Sequence, residues 1–154
     1  MKQKKFYPLT PKFWQPKVLP AAQLTSKIYH HGHVATIMRG KAETPWAWVE
    51  SGLVYSEMMR LLEKEGVAFT VEAKLAIYMQ KQMQGAVIER YLREGKVEFN
   101  SPELAIARAA ALVMDQLIEM DRHNIAWNAY QWAKEQTIKL QEAAAKEQES
   151  DFRN

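Results

Sequence analysis

The sequence predicts a mainly α protein: an irregular bundle of three to four helices preceded by a non-helical, basic N-terminal arm rich in proline and aromatic residues. Three observations carry that expectation. Four of the six prolines fall in the first twenty residues, where each removes a backbone donor and turns its predecessor away from helix. From Pro45 onward, apolar residues recur at the three- and four-residue spacings of a helix face. The apolar runs there are punctuated by Gly66, Thr70, Gly95 and Asn100, residues suited to helix ends.

In chain order, the arm comes first. Residues 1–22 hold Pro8, Pro11, Pro16 and Pro20 together with Phe6, Tyr7, Phe13 and Trp14, and that aromatic content exceeds what a disordered linker carries. An extended arm that docks is expected, whether on its own helical body, a second subunit or a ligand. Residues 24–39 mix β-branched and aromatic residues around Gly32, which reads as a short hairpin or an irregular extended segment. Ala35 to Met38 could equally begin a helix. The basic segment as a whole is taken as 1–45.

A helical domain is expected over 46–148. Its first helix places Trp46, Val49, Leu53, Met58, Leu61 and Leu62 roughly along one stripe, with Thr44 and Pro45 as N-cap and first helical residue and Gly66 as the stop. Thr70 caps a second helix from about Val71 to Arg93, ending at Gly95. Its apolar residues lie nearly all round the helical wheel, a pattern that belongs at the centre of a bundle or under a partner.

Asn100, Ser101, Pro102 and Glu103 open a third helical region, with Glu103 placed to complete a capping box with Asn100. Neither Gly nor Pro occurs beyond Pro102, and an unbroken helix to 148 would span ~70 Å. Either it breaks near Asp121 to Asn124, or it pairs with another chain. Ile106, Ala110, Val113, Leu117 and Met120 form a regular stripe, whereas the register falters beyond Asn124, which favours the break. The residues from 142 on are polar, and 149–154 are expected to fray.

Charge divides the chain in the same place. Residues 1–45 contain eight basic side chains against Glu43 alone, a balance of +7, and the remainder balances at −4, for a net +3. The absence of cysteine excludes disulfides, thiolate metal sites and cysteine nucleophiles. With no membrane-length apolar run and no signal-peptide pattern, a cytoplasmic protein is expected.

Chemistry-bearing patterns are few. His30, His31 and His33 are the densest cluster of metal-ligating types; in an extended chain His31 and His33 would share a face, but further ligands would have to come from a distant carboxylate or His123. Asp115, Glu119 and His123 share one helical face, one residue off the Glu-x-x-His spacing of carboxylate metal sites. Ser51 lacks the flanking glycines of a nucleophile elbow, and phosphate-binding glycine motifs are absent. No cofactor, no catalytic residue and no metal site is therefore expected, and the chain reads as a non-enzyme.

The basic segment carries the functional expectation. Lys2, Lys4, Lys5, Lys12, Trp14, Lys17, Lys27, Arg39 and Lys41 are of the types that follow a phosphate backbone and stack on bases, or that meet an acidic partner. The sequence thus points to an accessory or subunit protein of a nucleoprotein assembly, with the helices contacting protein. A structural protein that forms a homo-oligomer by arm docking, without nucleic acid, is the alternative. A metal-dependent enzyme using His30, His31 or His33 is the third reading. No membrane contact and no small-molecule substrate is indicated.

Overall fold

A computed structural model describes residues 4–6, 21–121 and 124–153. The chain is mainly helical. In order it forms β1 (Lys4–Phe6), α1 (Ala21–Met38), α2 (Trp46–Lys64), β2 (Val67–Phe69), α3 (Val71–Glu94), α4 (Ser101–Glu119) and α5 (Ile125–Arg153). β1 and β2 form a two-stranded parallel pair with Lys4 opposite Val67 and Phe6 opposite Phe69. Among the described residues no helix is long and apolar enough to cross a membrane.

α1 corrects the expectation for 24–39, because the hairpin or extended segment is a helix. Its inward stripe is His30, Val34 and Ile37, at spacings of four and three. The period was concealed because its first member is a histidine, which a hydrophobic pattern does not count. The helix closes where Gly40 adopts φ +67° and the Gly40 and Lys41 amides donate back to Ile37 and Thr36, an end that glycine makes at no steric cost. Part of the segment 1–45 therefore belongs to the helical body. Of the arm itself, residues 1–3 and 7–20 lie outside the described residues.

α2 is the central element. It starts one residue later than its Thr44–Pro45 signal suggests: Pro45 is the N-cap, with no side-chain cap bond, and its carbonyl accepts from the Val49 amide at 3.0 Å. Trp48, Val49, Leu53, Tyr55, Met58 and Leu62 are all buried, which requires neighbours on several sides. α5 runs antiparallel to α2, since Ile125 and Ala129 join the cluster around Tyr55, Met58 and Leu62 while Ala133 joins Trp48 and Val49. The same two clusters take Val34 and Ile37 from α1, Ile77, Met83 and Val87 from α3, and Val113, Met114 and Leu117 from α4. Each fully buried side chain of this size stabilises the fold by about 1.5–3 kcal/mol relative to exposure.

α3 has the caps its sequence indicates. Thr70 accepts from the Ala73 amide at 3.2 Å, and Gly95 turns the end at φ +70°. It is not central, however. Ala73, Ile77, Gln80, Met83, Gln84 and Val87 face inward, whereas Val71, Leu75, Tyr78 and Met79 are exposed, Val71 by 76%.

α4 begins with the expected capping box: Asn100 Oδ1 accepts from the Glu103 amide at 2.9 Å, and Glu103 Oε1 accepts from the Asn100 amide at 2.8 Å. Arg90 of α3 forks onto the same carboxylate with two 2.9 Å bonds and also donates to the Glu98 carbonyl at 2.8 Å. One part-buried ion pair thus ties the end of α3 to the start of α4. The break expected at 121–124 is present, with Asn124 at φ +59° and Asp121 Oδ1 accepting from the Ala126 amide at 3.0 Å. α5 then continues to Arg153, so the fraying expected over 149–154 gives way to helix through 153.

Candidate functional site

A groove of about 660 Å³ opens between α1, α2 and α5, with Ile118 of α4 at its edge. α2 supplies its floor through Ala47, Glu50, Ser51, Val54 and Tyr55. Tyr29 and His33 come from α1, one helical turn apart, and their rings meet edge to face at 5.0 Å. Trp127 and Tyr130 come from α5 at i and i+3, tilted by 30° with centroids 6.1 Å apart. Four aromatic side chains therefore converge on one cavity: Tyr55 buried at the bottom, Tyr29, Trp127 and Tyr130 exposed at the rim.

The histidine cluster is divided by the helix that carries it. Successive residues of an α-helix project about 100° apart, so His30, His31 and His33 serve three surroundings. His30 is buried beneath the groove, with Nδ1 2.6 Å from Ser51 Oγ and its ring against Tyr55 at 5.3 Å. His31 is half exposed and meets Asp115 of α4, Nε2 to Oδ1, at 2.9 Å. His33 faces the groove itself. The extended geometry in which His31 and His33 would share a face is thereby corrected. Among the described residues no group of three or more histidine and carboxylate side chains could hold a metal ion, and His123 lies outside them.

Electrostatics follow burial. Desolvation, reinforced by the neighbouring His31 and His33, lowers His30 from 6.5 to about 3, and burial also lowers His33. His30 is thus neutral near pH 7. Whichever tautomer it adopts, Nδ1 serves Ser51 and the buried Nε2 has no partner. Burial, and then the charge of Asp115, pushes the Tyr55 phenol up. Ser51 sits mid-helix, where backbone amides are engaged in i to i−4 bonds and cannot converge on an oxyanion. A weakly basic imidazole beside such a serine is a poor nucleophile pair.

The basic residues singled out in the sequence are not gathered. Lys2, Lys12, Trp14 and Lys17 lie outside the described residues. Lys4 and Lys5 form β1 opposite Val67 and Ala68, just beyond the C-terminal end of α2. Lys27 is in α1, and exposed Arg39 and Lys41 follow it, just before the N-terminal end of α2. The two ends of a 19-residue helix are separated by ~28 Å, so Lys4 and Lys5 lie near one end of α2 and Arg39 and Lys41 near the other, while Lys27 stands within α1.

Sequence reasoning passed over the groove residues Tyr29, Glu50, Tyr55, Trp127 and Tyr130. The only signal for them was the scattered aromatic register after Asn124, which left Trp127 and Tyr130 off the buried stripe of Ile125, Ala129 and Ala133. No protein-family model, no curated protein and no solved structure matches the chain.

Proposed function

We propose that this chain is a non-enzymatic accessory or subunit protein of a larger nucleoprotein assembly, its helices contacting protein and its basic N-terminal segment contacting nucleic acid or an acidic partner. The supporting observation is the outer face of α3. Val71, Leu75, Tyr78 and Met79 recur at spacings of four, three and one, and all are exposed, from 40% to 76%. An apolar stripe of this kind on a charged protein favours a protein contact. The +7 balance of residues 1–45 supports the second half of the reading.

The test uses the full chain. Because α1 contributes Val34 and Ile37 to the core, removing residues 1–44 would damage the fold, and neutralising substitutions are the cleaner probe. Wild type and a variant with Lys2, Lys4, Lys5, Lys12 and Lys17 changed to Gln are titrated with short single- and double-stranded nucleic acids and with polyglutamate over a range of salt. Binding that weakens with salt, and weakens further in the variant, supports the reading. No binding, or equal binding by both proteins, removes the role of the basic segment.

The same α3 face favours a second reading, a homo-oligomer without nucleic acid. Sedimentation of wild type and of the Leu75→Lys, Met79→Lys double variant at micromolar concentration decides it. A wild-type oligomer that the variant dissociates is expected, and a monomeric wild type sinks it.

A further inference from the structure

We propose that the groove between α1, α2 and α5 is a binding site for a small organic cation bearing a quaternary ammonium group, held by the aromatic side chains at Tyr29, Tyr55, Trp127 and Tyr130 and by the carboxylate of Glu50. Three features select this chemistry. The volume of about 660 Å³ lies in the range of ligand sites and is several times that of a trimethylammonium group, so the ligand carries a further organic body. The walls are electron-rich rings on three different helices, and a cation placed over such faces is attracted by their quadrupoles. Glu50 supplies a negative charge, and none of the described lining residues is lysine or arginine.

The remaining polar groups are consistent with a cation. Burial lowers His33 from its ordinary value, which disfavours a second positive charge beside the ligand. Ser51 is an uncharged hydroxyl already in contact with His30 at 2.6 Å, and it brings no positive charge that would favour an anion. An anionic ligand would meet Glu50 with no compensating charge on the walls. A neutral apolar ligand would be accommodated by the rings but would gain nothing from Glu50, and that difference is what the test reads.

Rim exposure makes the experiment clean. Trp127 is 61% and Tyr29 67% exposed, so replacing either leaves the core intact, which an unchanged thermal melt confirms. Choline and benzyltrimethylammonium are titrated by calorimetry to 10 mM, and 3,3-dimethyl-1-butanol, the uncharged carbon isostere of choline, serves as control. The indole N–H resonance of Trp127, identified by its loss in Trp127→Phe, reports location. Both cations are expected to bind and to shift that resonance, and the isostere at least ten-fold more weakly. Glu50→Gln should weaken cation binding about five-fold and leave the isostere unchanged, while Trp127→Ala should weaken it about ten-fold. The proposal is overturned by failure of both cations to bind, by equal binding of the isostere, or by Glu50→Gln and Trp127→Ala proteins that melt normally and bind choline as wild type does.

Discussion

His30 Nδ1 lies 2.6 Å from Ser51 Oγ, which ties α1 to α2 beneath the groove and leaves the other ring nitrogen buried without a partner. The folded-state pKa of about 3 lies below the ordinary 6.5, so the unfolded chain binds the proton more readily. The contribution to stability is full above pH 6.5 and is lost progressively as the pH falls from 6.5 toward 3. At pH 5 the loss is about 2 kcal/mol. Denaturant unfolding at pH 7.5 and pH 5 should show it, and His30→Leu should remove that part of the pH dependence. An equal fall in both proteins would mean that other groups are responsible.

Arg90 and Glu103 make a second polar junction, with Glu103 buried and Arg90 half-buried. Burial alone pushes the Glu103 carboxyl up, but the Arg90 fork and the Asn100 amide outweigh it and hold the group below the usual carboxylate range. Its contribution is present above about pH 4.5 and is lost as the pH falls through the lowered folded-state value. Glu103→Gln removes the charge that the half-buried Arg90 fork grips and weakens the capping box, and should cost about 1–3 kcal/mol at pH 7. Glu103→Gln combined with Arg90→Met should cost less than Glu103→Gln alone, and a double-mutant cycle by urea unfolding measures the difference.

Gly52 lets α2 and α3 approach closely. A Cβ there would stand 2.0 Å from Gln84 Nε2, an atom that donates to the Val49 carbonyl at 3.3 Å in a buried position. Gly52→Ala gains about 1 kcal/mol of helix propensity but forces Gln84 out of place. A net destabilisation of about 1–2 kcal/mol is expected. Adding Gln84→Ala should restore part of it, and a stabilised Gly52→Ala single variant in thermal melts would contradict the close approach.

Gln80 is 2% exposed, and neither amide atom has a hydrogen-bond partner. A methionine of similar length needs none. Gln80→Met should therefore stabilise the protein by about 1–2 kcal/mol, read as a higher urea midpoint at unchanged slope. A destabilised variant would show that the amide is satisfied in solution.

Local signals in the sequence were sufficient for several of the helix ends made by neighbouring residues. Thr70, Gly95, the Asn100–Glu103 box and the break before Ile125 are each set by backbone groups within a few positions, so residue type alone identifies them. The alternating stripe from Ile106 to Leu117 was legible for the same reason. α1 was not, because its buried stripe starts with His30 and passes beside Gly32, and only contact with Ser51, Tyr55 and the α2 cluster makes that histidine an interior residue. Nor could the pattern of α3 reveal that α2, not α3, stands at the centre, since an all-round apolar wheel is compatible with either place.

By itself, then, the sequence determined a mainly helical chain, most of its caps, its charge division near Pro45 and the absence of thiol chemistry. Tertiary structure decided which side chains meet. His31 reaches Asp115 across 84 positions, the three histidines part company, and Tyr29, Glu50, Tyr55, Trp127 and Tyr130 line one groove. The physical reason is range: capping and helical periodicity act within one or two turns, whereas a cavity depends on how α1, α2 and α5 pack around a shared core, and no local pattern encodes that arrangement.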